Sequence, residues 1–256
     1  MSTARPRWAS PRWIAHRGAG RLAPENTLAA FRLGAAYGYR AFECDVKLSA
    51  DGVPFLLHDT TLQRTTNGEG VAGERSWHAL SLLDAGGWHS RSHAGEPLPS
   101  FQALARHVLR NRYLLNAEIK PTPGQERATG EVVAEHAQRW WAPHADAMPP
   151  LLSSFKPEAL EGARAAAPGL PRALLLDTLR EGWLDEAQAL GCVAVVANHT
   201  LLDAAVIGRI HGAGLQSLCY TVNDPADAHR LCAAGIDGII TDAVDRFAPA
   251  AADAGE

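Results

Sequence analysis

Two charged pairs stand out by their spacing: Glu43 and Asp45 within Ala41-Phe42-Glu43-Cys44-Asp45-Val46, and Glu118 with Lys120 in Glu118-Ile119-Lys120. Each pair is separated by one apolar residue. Side chains alternate along a strand, so Glu43 and Asp45 share one face while Phe42, Cys44 and Val46 take the other; Glu118 and Lys120 do the same around Ile119. Neighbouring carboxylates repel and are costly to desolvate unless positive charge sits between them. Glu43, Asp45 and Glu118 can converge as oxygen ligands for a hard divalent cation, Mg²⁺ or Ca²⁺, with Mn²⁺ as a further candidate. The bland alternative makes Glu118–Lys120 an ordinary ion pair and pairs Glu43 and Asp45 with arginines. Three acids at strand ends favour the metal.

Imidazole titrates near neutral pH, which makes His16 and His58 candidates for general acid and base. His16 closes the run Trp13-Ile14-Ala15. His58 closes Val53-Pro54-Phe55-Leu56-Leu57, joined to the Glu43/Asp45 run by Ser49-Ala50-Asp51-Gly52, which reads as a hairpin turn. With the turn centred on Ala50-Asp51, Asp45 lies opposite about position 56 and Glu43 opposite about His58. Arg17 and Lys120 supply the fixed positive charge that a phosphate needs beside a metal. The other nine histidines fall on helices, in loops or in an insertion, where packing or a backbone hydrogen bond accounts for them.

The elements that must carry these groups alternate regularly. Strands end near His16, Asp45, Glu118, Phe155, Leu176, Ala197, Asn223 and Thr241, with helices between them. Among the helix signals, Asn26 or Thr27 caps the first helix, Ser100 caps another, and Pro157 and Pro225 sit in first turns. Eight strand–helix units predict an α/β (β/α)₈ TIM barrel with a hairpin after its second strand, and its active site lies at the carboxyl ends of the strands. A doubly wound open sheet is the competing architecture. It places its polar residues around one glycine-rich turn, whereas here they spread over the chain. Residues 60–98, with Thr65-Thr66-Asn67-Gly68 and scattered Trp77, Leu82 and Trp88, lack a clean period and read as a small insertion. Residues 12–248 make up the barrel, 1–11 a flexible arm and 249–256 a disordered tail.

The ordered set His16-Arg17-Gly18, Pro24-Glu25-Asn26-Thr27, Glu43-x-Asp45, His58-Asp59, Glu118-x-Lys120, Ser154-Phe155 and Gly235-Ile236-Asp237-Gly238-Ile239-Ile240-Thr241-Asp242 resembles the glycerophosphodiester phosphodiesterase family. The stretch Leu62 to Gly87, with Arg64-Thr65-Thr66-Asn67-Gly68, resembles that family's insertion. The resemblance implies a barrel hydrolase that cleaves glycerophosphodiesters such as glycerophosphocholine and glycerophosphoethanolamine to glycerol 3-phosphate and an alcohol. It further implies that Glu43, Asp45 and Glu118 hold the metal, that His16 and His58 exchange protons, and that Arg17 and Lys120 grip the phosphate. Three other readings compete. They are a lysophospholipase D with an acyl groove along Trp77, Leu82 and Trp88, a metal-dependent sugar-phosphate aldolase or lyase, and a silent phosphodiester-binding protein.

The 256 residues carry a net charge of −4, and 46% are hydrophobic, enough for a large core. That balance argues against a nucleic-acid surface. No apolar run is long enough to span a bilayer and no secretory signal is visible, so no stable membrane association is expected. Cys44, Cys192, Cys219 and Cys232 lack paired spacing and read as thiols of a reduced compartment, with the cytoplasm as the expected location. The sequence carries no signal for oligomeric state.

Overall fold

Runs such as Ala173-Leu174-Leu175-Leu176 are apolar on both faces, the pattern of a strand covered on both sides. In the computed structural model, which describes residues 8, 9, 11–247 and 249, such runs form a closed parallel barrel. The strands are β1 (Trp13–Ala15), β2 (Ala41–Leu48), β3 (Pro54–Leu56), β4 (Leu114–Ile119), β5 (Leu151–Ser154), β6 (Arg172–Leu176), β7 (Ala194–Asn198), β8 (Gln216–Tyr220) and β9 (Gly238–Thr241). Eight of them are parallel, and β1 pairs with both β2 and β9 to close the ring. β3 is antiparallel to β2 and lies outside that ring. The expected (β/α)₈ barrel is therefore the observed one.

The outer layer is α1 (Leu28–Ala36), α3 (Phe101–Asn111), α4 (Glu126–Trp141), α5 (Pro157–Ala166), α6 (Trp183–Ala189), α7 (Ala204–Gly212) and α8 (Pro225–Ala233), while the short α2 (Trp77–Leu80) lies in the segment between β3 and α3. Outward strand residues pack on these helices: Phe42, Cys44 and Val46 in one cluster, Leu174, Leu176 and Val195 in another. A third cluster fills the barrel interior, with Ile14, Ala41, Leu151, Ala173, Ala194 and Leu218. Trp8, inside the stretch expected to be a loose arm, is buried in that cluster. The rest of that arm (save residues 9 and 11) and the tail expected beyond residue 249 lie outside the described residues.

Two local expectations differ from the structure. The hairpin pairs Val46 with Leu56 and Lys47 with Phe55, one residue off the expected register. Ser49 N donates to Val53 O and Gly52 N to Ser49 O, with Gly52 at φ +78°, so the turn is centred on Asp51. A left-handed glycine adds one residue to a hairpin loop and shifts the pairing by one. At α1 the cap is Thr27, whose Oγ accepts from Ala30 N. Asn26 is drawn elsewhere, as described below.

Residues between β3 and α3 fold as short turns and α2 around Leu62, Ala72, Leu80, Ala85 and Leu98, which pack on Phe55 and Leu57. Trp77 tilts against Phe55, whereas Leu82 is 73% exposed and Trp88 42% exposed.

Candidate active site

The inward residues of β2 and the next parallel strand, β4, meet at the carboxyl end of the barrel. Asp45 pairs in register with Glu118 and Glu43 with Asn116. Glu43, Asp45 and Glu118 are buried, and one carboxylate oxygen from each lies within 4.8 Å of the other two. Glu43 Oε1, Asp45 Oδ1 and Glu118 Oε1 are buried without an aligned hydrogen-bond donor among the described residues. Of these oxygens only Glu118 Oε1 has a cation in contact, the Lys120 ammonium, and three mutually repelling carboxylates on one point match a hard divalent cation in both charge and donor type.

Positive side chains flank the acids. Arg17 Nε is 3.1 Å from Asp45 Oδ2, and Lys120 Nζ is 2.9 Å from Glu118 Oε1 and 3.9 Å from Asp45 Oδ1. Burial, with Asp45 and Glu118 nearby, pushes the Glu43 carboxyl well above the usual carboxylate range. Burial beside Asp45 likewise raises Glu118, to about 7. Burial works the same way on Asp45, but the charges of Arg17, Lys120 and His58 outweigh it and hold that group low.

Each expected imidazole is held by an aspartate. His16 Nδ1 is 2.6 Å from Asp242 Oδ1, and His58 Nδ1 is 2.7 Å from Asp59 Oδ1. An ionised carboxylate only accepts, so Nδ1 carries the proton in both rings, leaving Nε2 for proton exchange. His16 Nε2 lies 3.7 Å from Glu43 Oε2. Burial lowers the His58 pKa, as do Arg17 and Lys120. Burial opposes ionisation of Asp242, but bonds from His16 and Asn223 hold its carboxyl below the usual range.

The backbone that delivers these groups is strained. Arg17 has φ 49° and Asn26 φ 59°, a region that non-glycine residues rarely adopt. The two are tied together, Asn26 N donating to Arg17 O. In return Arg17 N donates to Glu43 Oε2, and Asn26 clasps Asp45 at both its side chain and its backbone N. Gly20 must be glycine here, because a Cβ would sit 2.1 Å from Asp242 O.

All seven residues singled out from the sequence (His16, Arg17, Glu43, Asp45, His58, Glu118 and Lys120) thus converge. All but Asp45 line one cavity of about 300 Å³. Ser154 and Asn223, also at strand ends, have structural bonds: Ser154 Oγ donates to Ile119 O, and Asn223 braces Asp242. The sequence reading gave no role in the site to Glu25, Asp59, Arg64 or Asp242, and offered Asn26 only as a helix cap. Arg64 forms two-pronged contacts with both Glu25 and Asp59, and Glu25 in turn binds Arg17. Asp59 adjoins His58 and could have been read as its partner. Asp242 is 226 positions from His16, and only barrel closure reveals that pair.

A closed parallel barrel whose carboxyl end gathers three acids, two aspartate-held imidazoles and two cations defines a phosphoric diester hydrolase. The chain belongs to the glycerophosphoryl diester phosphodiesterase family, which it matches over residues 16–246. The Bacillus subtilis protein YhdW is 33% identical over 239 residues, covering 91% of this chain and 94% of its own. A glycerophosphodiester phosphodiesterase of Caldanaerobacter subterraneus is 31% identical over 90% of this chain and 93% of its own. An Oleispira antarctica phosphodiesterase, solved in complex with the product sn-glycerol-3-phosphate, superposes with a TM-score of 0.86 at 32% identity, covering 93% of this chain and 95% of that one.

Proposed function

We propose that this phosphodiesterase hydrolyses glycerophosphodiesters to sn-glycerol 3-phosphate and a free alcohol, with Glu43, Asp45 and Glu118 holding Mg²⁺, Ca²⁺ or Mn²⁺. The observation that carries this reading is the meeting of three buried carboxylates with two aspartate-held imidazoles at one cavity. When bound, the ion supplies Lewis-acid charge to the phosphoryl group.

Arg17 and Lys120 place fixed charge against the non-bridging oxygens as negative charge grows there. His58 takes the proton of the attacking oxygen, water or the glycerol 2-hydroxyl, at Nε2. Its lowered pKa supports that part, because a base must be neutral at the working pH. His16 then gives the proton on Nε2 to the departing alcohol oxygen; where the 2-hydroxyl has attacked, water opens the resulting cyclic phosphate to glycerol 3-phosphate, His16 now taking the proton and His58 returning its own to O2. Asp59 and Asp242 hold the two rings and stabilise each imidazolium in turn, the logic of a base oriented by a third group. The four free thiols support a cytoplasmic setting.

One observation favours a second reading. Trp88 borders the cavity formed by His16, Arg17 and Arg64, and with exposed Leu82 it could meet the acyl chain of a lysophospholipid. One assay separates the two. Metal-stripped protein receives each ion with a panel of glycerophosphodiesters and lysophospholipids, and glycerol 3-phosphate or lysophosphatidate release is followed. Turnover of the diesters that stops in excess EDTA is expected. Turnover that persists in EDTA removes the metal from the mechanism, and release from lysophospholipids alone selects the second reading.

A further inference from the structure

The centre opens on the His58 side into a second, larger cavity of about 510 Å³. Lys47 lines it. This lysine follows Asp45 by two positions on β2 and is only 2% exposed. Its ammonium donates to Lys120 O at 3.2 Å and has no carboxylate in ion-pairing range among the described residues. A buried cation whose anions, Asp45, Asp59 and Glu118, all lie beyond ion-pairing distance is expensive to keep. The acids on the same wall are committed elsewhere: Asp59 to Arg64 and His58, Glu118 to Lys120 and the acidic cluster. Lys156, exposed at the mouth, adds a further positive charge.

The aromatic wall points the same way. Recognition of a quaternary ammonium needs an open ring face. Phe155 is the ring of this cavity, and the Lys120 ammonium already lies over it, 5.6 Å from its centroid. A trimethylammonium group placed there would meet lysines rather than a free π face.

Resting on the hydrolase reading above, we propose that this cavity receives the alcohol substituent of the diester, and that Lys47 selects head groups bearing hydroxyl or acidic oxygens over those bearing a quaternary ammonium. The division of space supports the assignment. The glycerol moiety is common to all these diesters and small, and it suits the 300 Å³ cavity directly over the acids. The variable substituent takes the larger one. An oxygen-rich head group gives the Lys47 ammonium, with three N–H donors, a further acceptor beside Lys120 O.

The test compares kcat/KM of the metal-loaded enzyme on glycerophosphoinositol and glycerophosphoglycerol with that on glycerophosphocholine. A charge-assisted hydrogen bond predicts a preference of roughly 10- to 100-fold for the first two. Lys47→Met should bring the ratio close to one by lowering kcat/KM for the oxygen-rich substrates only. A wild-type preference for glycerophosphocholine overturns the proposal. So does a Lys47→Met variant that slows every diester equally, because that places Lys47 against the shared glycerol. Should Lys47→Met fail to fold, the wild-type ratio decides alone, and Lys156→Glu at the mouth should shift it toward choline. Absence of turnover on all diesters fails the hydrolase reading itself, whereas turnover without discrimination fails only this one.

Discussion

β2 and β7 stand four places apart in the closed ring and face each other across the barrel. From β2 the interior receives Ala41, Glu43, Asp45 and Lys47; from β7 it receives Ala194 and Val196. Both walls are equally buried. On the β7 side that burial is favourable packing, worth about 25 cal/mol per Å² of apolar surface. On the β2 side it desolvates charges that repel one another and must be braced by Arg17, Asn26, Arg64 and Lys120. One half of the barrel thus supplies the stability that lets the other half hold an unfavourable cluster. A substitution on the charged wall should cost activity more than stability, and one on the apolar wall the reverse.

The largest effect is expected from the imidazoles. His16→Ala and His58→Ala should each lower kcat by about 10²–10⁴-fold, the usual worth of a positioned proton transfer. Thermal unfolding should change little, because His16 and His58 are partly exposed rather than core. Near-normal turnover in either variant would remove that ring from the chemistry. The pH profile refines the assignment. If His58 is the base, kcat/KM falls as pH drops through a value below the ordinary histidine pKa of ~6.5, since burial and two cations favour its neutral form.

Next in size is the brace. Arg64 touches no part of the acidic cluster, yet it holds Asp59, the partner of His58, and Glu25, the partner of Arg17. Arg64 dominates in holding the Asp59 carboxyl well below its usual range. Arg64→Met should cost roughly 10- to 100-fold in kcat with KM little changed, as expected for a residue that orients others. Arg64→Lys should not restore it, because a single ammonium cannot reproduce the two-pronged contacts to both acids. An equal loss in KM would instead place Arg64 against substrate.

The apolar half of the barrel should answer in the opposite way, and the helix-facing side of β6, the strand beside β7, tests it away from the cavities. Leu174 on β6 is fully buried among Leu160, Trp183, Ala187 and Val195, on the face turned away from the cavities. Leu174→Ala should cost about 2–5 kcal/mol of stability. The folded fraction should keep wild-type kcat and KM at a temperature well below its melting point. A loss of kcat without a loss of stability would dissolve the division between the walls.

How much of this was legible follows from the range of each interaction. Strand alternation alone put Glu43 and Asp45 on one face and Glu118 and Lys120 on another, and the strand count closed the barrel. What escaped depends on closure or on competition. The Asp242–His16 pair needs the last strand beside the first. Asn26 carries a capping side chain by type, but Asp45 offers it two bonds, so Thr27 takes the cap. The hairpin register slipped by one because a left-handed Gly52 lengthens the turn. The Trp8 plug lies in a stretch whose sequence has no strand or helix period, and only the finished barrel gives it a floor to fill.

The smallest effect concerns stability without metal. Glu43 and Glu118 have folded-state pKa values raised by burial and by Asp45, with Glu118 adding to the rise at Glu43. Such groups favour the folded state fully at low pH and lose that contribution as pH rises through the raised value, about 7 for Glu118. Asp59 and Asp242, with depressed values, act in the opposite sense but only in the acid range. His58, lowered, also acts in the opposite sense, and its contribution is complete above ~6.5. Lys47, pushed down to about 8 by burial and by Lys120, acts in the opposite sense only as pH approaches 8; between pH 6.5 and 7.5 the acidic cluster therefore dominates, and the melting temperature of chelated protein should fall, at about 2–4 °C per kcal/mol. Saturating Mg²⁺ should raise Tm more at pH 8 than at pH 6.5, because the ion binds the ionised acids. Glu118→Gln should flatten the slope in chelator and reduce the rise with metal. An Mg²⁺ shift independent of pH would mean that the acids on β2 and β4 are ionised and settled without the ion, leaving the two walls alike in their electrostatics.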